Sequence, residues 1–117
     1  MKFVDGKKQG IEKNYFVDGS ILSEYTYNAG ILDGPYKTYF ADGSISETGT
    51  YENDLFQGDY QSYYSDGTLE VEASYEDGKL DGSYTYYDTD GKKYYNYTYK
   101  NGDVIDYRYF TKEGSIL

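Results

Sequence analysis

The stretch Asp33-Gly34-Pro35-Tyr36-Lys37-Thr38-Tyr39-Phe40-Ala41-Asp42-Gly43-Ser44 is answered 24 residues later by Gln57-Gly58-Asp59-Tyr60-Gln61-Ser62-Tyr63-Tyr64-Ser65-Asp66-Gly67-Thr68. The spacing continues outward in both directions. Gly10, Gly34, Gly58 and Gly82 form one series, and Gly19, Gly43, Gly67 and Gly91 a second. Tyr27, Tyr51, Tyr75 and Tyr99 form a third, and Tyr15, Tyr39, Tyr63 and Tyr87 a fourth. Four series in register are not chance, and self-similarity at a fixed period is the mark of a repeat architecture. The units run from about 10 to 33, 34 to 57, 58 to 81 and 82 to 104 of a single domain. Half repeats flank them, at 1–9 (with Phe3 and Gly6) and at 105–117 (with Tyr107, Tyr109, Phe110 and Gly114, one residue shorter).

Each unit contains two turn signals. The first is Asp18-Gly19, Asp42-Gly43, Asp66-Gly67 and Asp90-Gly91; the second is Ala29-Gly30, Asn53-Asp54, Asp77-Gly78 and Asn101-Gly102. Such dipeptides supply the positive φ angles of two-residue I′ turns, whose twist matches that of paired strands. Asp54 is a tolerable replacement for glycine, because Asp enters the left-handed region more readily than most residues. The segments between turns are rich in Tyr, Thr and Ser, and none has a helical period. The expected fold is all-β: a single-layer antiparallel β-meander of tandem hairpins, twisted or curled.

If every turn holds two residues, the pairing follows. Phe40 faces Ile45, Tyr64 faces Leu69, Tyr51 faces Phe56, Tyr75 faces Leu80, and Tyr99 faces Val104. Alternation of side chains places these on one face. Gly49 then faces Gly58 and Ala73 faces Gly82, leaving gaps for Tyr36, Tyr60 and Tyr84 to lie across. Ser46, Thr48, Thr50, Glu52, Gln57, Asp59, Gln61, Glu70, Glu72, Ser74 and Glu76 fall on the reverse. One face is aromatic, the other polar and acidic, as a correct register requires. A cross-strand aromatic pair adds only ~0.2–1 kcal/mol, so stability must come from stacking many hairpins. No second layer is available to cover the rings.

The 117 residues include 19 tyrosines and 14 glycines, one proline, and neither histidine nor cysteine. Disordered chains are poor in aromatics, so this one is expected to be ordered. The net charge of −10 disfavours nucleic acid and anionic lipid as direct partners. Its distribution is uneven. No base lies between Lys37 and Lys79, whereas ten acids do: Asp42, Glu47, Glu52, Asp54, Asp59, Asp66, Glu70, Glu72, Glu76 and Asp77. The N-terminal Met1-Lys2-Phe3-Val4-Asp5-Gly6 has no apolar leader core, and no run approaches membrane-spanning length. A cytoplasmic protein without membrane attachment is expected.

Without histidine or cysteine the commonest general bases, nucleophiles and transition-metal ligands are missing. The repeated Asp of each Asp-Gly is explained by turn chemistry. Asp88-Thr89-Asp90-Gly91 has the look of a calcium loop but lacks the later bidentate glutamate. The expectation is no catalysis, no cofactor and no metal.

The units quoted above, together with Tyr75-Glu76-Asp77-Gly78-Lys79-Leu80-Asp81-Gly82, resemble the variant MORN repeat of bacterial proteins, over essentially the whole chain. The resemblance implies a hairpin-repeat fold. It also implies a role like those of its members: YwqK-type antitoxins, immunity proteins against bacterial toxins, or scaffolds. Eukaryotic MORN proteins are linked to membranes and kinases. The chain departs from the standard unit in having no tryptophan and in placing Asp54 where glycine stands.

Resemblance, missing catalytic groups and clustered acidity together lead to the expectation of a non-catalytic inhibitor. It would dock a partner protein with a basic surface, such as a nuclease toxin or another nucleic-acid enzyme. Asp59, Glu70 and Glu72, interleaved with Tyr39, Tyr63 and Tyr87, would combine electrostatic steering with aromatic anchors. The plainer roles for these residues are a solvated sheet face and a cross-strand ladder. The other class is an adaptor scaffold, with self-association through the tyrosine face.

Overall fold

The computed structural model describes residues 2–113 and 115–117. Its strands are β1 (Lys2–Val4), β2 (Lys7–Tyr15), β3 (Ile21–Asn28), β4 (Ile31–Tyr39), β5 (Ile45–Glu52), β6 (Leu55–Phe56), β7 (Gly58–Tyr63), β8 (Leu69–Glu76), β9 (Lys79–Tyr87), β10 (Lys93–Lys100) and β11 (Asp103–Tyr109). They form one antiparallel sheet in chain order, with β6 and β7 successive pieces along the same flank of β5. No helix occurs among the described residues, and the sheet does not close. The molecule measures 55 × 35 × 13 Å. Thirteen ångströms is one sheet with its side chains, so the meander does not curl over its own rings. The radius of gyration, 16.7 Å, exceeds the ~13 Å of a compact chain of this length.

The two turn signals build different turns. Asp5-Gly6, Ala29-Gly30, Asn53-Asp54, Asp77-Gly78 and Asn101-Gly102 all have positive φ at both positions, from 49 to 86°. These are the expected I′ turns, and Asp54 adopts the left-handed conformation at φ 68°. At Asp42-Gly43 only the glycine is left-handed. Gly43 N donates to Phe40 O at 2.9 Å and Phe40 N to Ser44 O at 2.8 Å, enclosing three residues. This is a type I turn followed by a left-handed glycine, and it recurs around Gly19, Gly67 and Gly91. The Asp42 carboxylate accepts from Ser44 N at 2.9 Å and Ser44 Oγ at 2.6 Å. Ser20 and Thr68 serve Asp18 and Asp66 in the same way. These hydrogen bonds, the hydroxyl's first, hold all three carboxyls below the usual aspartate range. In the fourth unit Asp88 is the acceptor, from Asp90 N and Lys92 N.

The longer turn changes the register beyond it. Tyr39 pairs with Ile45 and Thr38 with Glu47, so Ser46 is skipped. Leu22, Glu70 and Tyr94 are skipped at the same point of their units. A bulge of this kind re-aims side chains. The pairings of Phe40 with Ile45 and of Tyr64 with Leu69 are therefore corrected to Tyr39 with Ile45 and Tyr63 with Leu69. Those of Tyr51 with Phe56, Tyr75 with Leu80 and Tyr99 with Val104 hold, because they adjoin the I′ turns.

A second irregularity sits on the other side of each unit. Tyr27 pairs with Leu32 but Tyr25 with Tyr36, leaving Thr26 opposite Asp33-Gly34-Pro35. Gly34 has φ 130°, and a Cβ there would lie 2.9 Å from Thr26 Cγ2, so glycine is demanded twice over. Because of this shift Thr48 faces Gln61, which removes the expected Gly49–Gly58 pairing, and Ala73 faces Tyr84 instead of Gly82; on their other sides Gly49 faces Tyr36 and Ala73 faces Tyr60.

Candidate interaction surfaces

The first surface is the ring face. Tyr36 lies over Gly49, where a Cβ would come within 2.5 Å of its Cε1. Its ring stacks on Tyr25 (5.3 Å between centroids) and meets Tyr51 at 5.2 Å. Tyr51 stacks on Phe56 at 4.6 Å, and Phe56 on Tyr75 at 5.0 Å. Tyr60 meets both Phe56 and Tyr75 edge-on. Tyr36 is thus only 2% exposed in a protein with one layer. Glu47 stands among these rings: Tyr36 Oη donates to its Oε1 and Tyr60 Oη to its Oε2, each at 2.8 Å. Burial first, and then this carboxylate, push both phenols far above the ordinary tyrosine range.

The reverse face is polar. Across it run Glu24, Lys37, Thr48, Gln61, Glu72, Thr85 and Asn96, each opposite the next. Tyr39 Oη donates to Glu24 at 2.9 Å, which raises its pKa. Tyr63 Oη donates to Gln61 at 3.0 Å. Tyr87 titrates late through burial and then the nearby Glu72. Asp59, two residues from Gln61, faces Ser74 and is exposed, as is Glu72.

Five of the six candidate residues, Tyr39, Asp59, Tyr63, Glu72 and Tyr87, therefore share this face. Glu70 does not. Ser62, which pairs with Glu47 and Val71, donates its hydroxyl to Glu70 at 3.0 Å, which puts Glu70 on the ring face. The bulge is the cause, and it moves Ser46 likewise, 2.6 Å from Thr38 Oγ1. In exchange, Ile45 and Leu69 leave the rings and join Tyr39 and Tyr63. A shallow depression of about 290 Å³ bordered by Ser44, Ile45, Tyr63 and Gly67 results. A two-residue turn at Asp-Gly puts these aliphatic residues on the ring face, so sequence reasoning misses them here; the hydroxyl residue after Asp42-Gly43 and Asp66-Gly67 is the available signal.

Among the described residues there are two ion pairs, Lys8–Glu12 at 2.6 Å and Arg108–Asp106 at 3.8 Å. Neither involves an acid of the 38–78 stretch. No group of three or more described carboxylates is gathered for a metal ion. No described helix is long and apolar enough to cross a membrane.

A one-layer hairpin array with two chemically distinct open faces is a repeat protein of the surface-presenting kind. Its units, at residues 8–29, 32–53, 56–77 and 80–101, match the family model of the MORN repeat variant, and the chain belongs to that family. MORN repeats point to protein–protein interaction or scaffolding. No curated protein matches the chain.

Proposed function

We propose that this chain is a non-catalytic inhibitor, of immunity or antitoxin type, that neutralises a basic partner protein through its polar, acidic face. One observation carries the reading: of the ten carboxylates between Lys37 and Lys79, Asp59 and Glu72 stand exposed on this face, only Glu47 and Glu70 are placed on the ring face, and none of those described is in an ion pair. Such charge raises association rates for a basic surface and opposes stray contacts. Beside it, Tyr63, Ile45 and Leu69 supply a half-buried apolar anchor of the sort that dominates binding energy. A nuclease that binds nucleic acid through cationic side chains has a matching surface. The resemblance to the variant MORN repeat, whose members include YwqK-type antitoxins, favours the same role, and we place it in the cytoplasm.

The test is co-purification from the host, followed by assay of the captured protein with and without added chain. The expected result is a basic enzyme that is inhibited. The Asp59→Lys, Glu72→Lys double variant should bind about tenfold or more weakly, ~1.4 kcal/mol, with a flatter salt dependence. An acidic partner, or affinity indifferent to both reversal and salt, would overturn the proposal. The second reading, an adaptor scaffold that self-associates, is favoured by the uncovered ring face. It would show as a stable homodimer in sedimentation.

A further inference from the structure

The position of Glu47 in its unit is taken by Ser23, Val71 and Tyr95 in the others. The fold therefore has no need of a carboxylate here, yet one unit places it on β5 between phenols reaching in from β4 and β7. Tyr25, Tyr51 and Tyr75 lie close enough for its charge to oppose their ionisation, after the larger effect of burial. No basic residue occurs from 38 to 78 to balance it, and it forms no ion pair. A carboxylate offers about four lone-pair positions, and the two phenols occupy one on each oxygen. Negative charge, spare acceptor capacity and aromatic surface thus converge on one half-buried spot.

We propose that the ring face around Glu47 docks an arginine side chain presented by a partner protein. A guanidinium suits the spot better than an ammonium, because it donates in a planar fork and stacks on aromatic faces while doing so. Phosphate-bearing partners are repelled by the same carboxylate. A second copy of the chain is a poor occupant: each brings a charge of −10, and the only arginine, Arg108, already lies 3.8 Å from Asp106. This site is separate from the polar face proposed above, and either can fail alone.

The test titrates the full chain with a short arginine-containing peptide, blocked at both ends, and with the same peptide carrying neutral citrulline. Amide and ring NMR shifts report where each binds. The expected outcome is that the arginine peptide perturbs Tyr36, Glu47, Tyr51 and Tyr60 and that citrulline weakens binding about tenfold, a charge-assisted contact's worth. Glu47→Gln, which keeps the shape and one acceptor oxygen but replaces the other with an amide donor and removes the charge, should match that loss, whereas Asp103→Asn, at an exposed position of β11, should leave binding intact. Equal affinity for both peptides would overturn the proposal. So would shifts confined to Tyr39, Tyr63 and Tyr87, which would instead support the polar-face reading, or a homodimer that buries the rings. The map on the unaltered chain decides the matter even where the Glu47→Gln variant fails to fold.

Discussion

The rings of the middle units and those of the last unit obey one repeat but pack differently. In the middle, Tyr36 lies down over Gly49, and Tyr60 faces Gly49's counterpart Ala73. In the last unit the corresponding residue is Tyr97, directly opposite Tyr84, so no gap exists for a ring to occupy. Exposure differs too: Tyr36 is 2% exposed while its counterpart Tyr84 is only half-buried, and beyond it Tyr94, skipped at the bulge, and Tyr107, on the edge strand β11, are 57% and 63% exposed. The hydroxyls differ as well. Those of Tyr36 and Tyr60 converge on a carboxylate, whereas Tyr97 and Tyr109 bond one another at 2.7 Å. Charge follows the same division, since Lys92, Lys93, Lys100, Arg108 and Lys112 all lie at the C-terminal end. Aromatic content alone therefore does not make a core. Small residues at the right register do.

The largest effect that would break this contrast is truncation. Tyr36→Ala should cost ~3–5 kcal/mol, as for other buried aromatics, while Tyr107→Ala should stay within ~0.5 kcal/mol. Urea unfolding of the two variants measures both, and similar costs would erase the distinction. Next is Gly49→Ala, where the new methyl meets the Tyr36 ring. Overpacking should destabilise by ~1–3 kcal/mol, although the backbone there is ordinary strand and alanine is otherwise welcome. A neutral result would mean that the ring slides aside freely. The smallest effect is in pH. Tyrosine in an unfolded chain ionises near pH ~10, while burial and Glu47 hold Tyr36 and Tyr60 protonated far beyond that. Above pH ~10 the unfolded state binds fewer protons than the native one, so this stability is complete below that pH and lost as pH rises. Phenolate absorbance of these two rings should appear only together with loss of the sheet's circular dichroism. Their titration within an intact sheet would contradict the packing.

Much of this was legible in the amino acids. The recurrence of Gly34 and Tyr51 sets the unit length, and Asp77-Gly78 or Asn101-Gly102 marks a hairpin with positive φ at both turn residues. The pairings next to those turns followed directly. Asp42-Gly43 was ambiguous, because both candidate turns end in a left-handed glycine and differ by one residue in length. One residue reverses strand parity, so Ser46, Glu70, Ile45 and Leu69 exchanged faces. Ser44 and its equivalents, whose hydroxyls hold the aspartate, would have resolved it. The role of Glu47 was hidden for another reason. Its acidity merges with that of its neighbours in the sequence, while the informative fact is its departure from Ser23, Val71 and Tyr95.

With β6 and β7 counted as one flank of β5, every strand of the sheet hydrogen-bonds only to its neighbours in the chain. Excising or duplicating one 24-residue module would consequently rejoin surfaces that already fit, lengthening or shortening the plate by two strand spacings, ~10 Å. Reach becomes adjustable like a ruler, by whole increments, through gene duplication alone. What each increment displays can then drift on its own, as the solitary carboxylate of the second module illustrates.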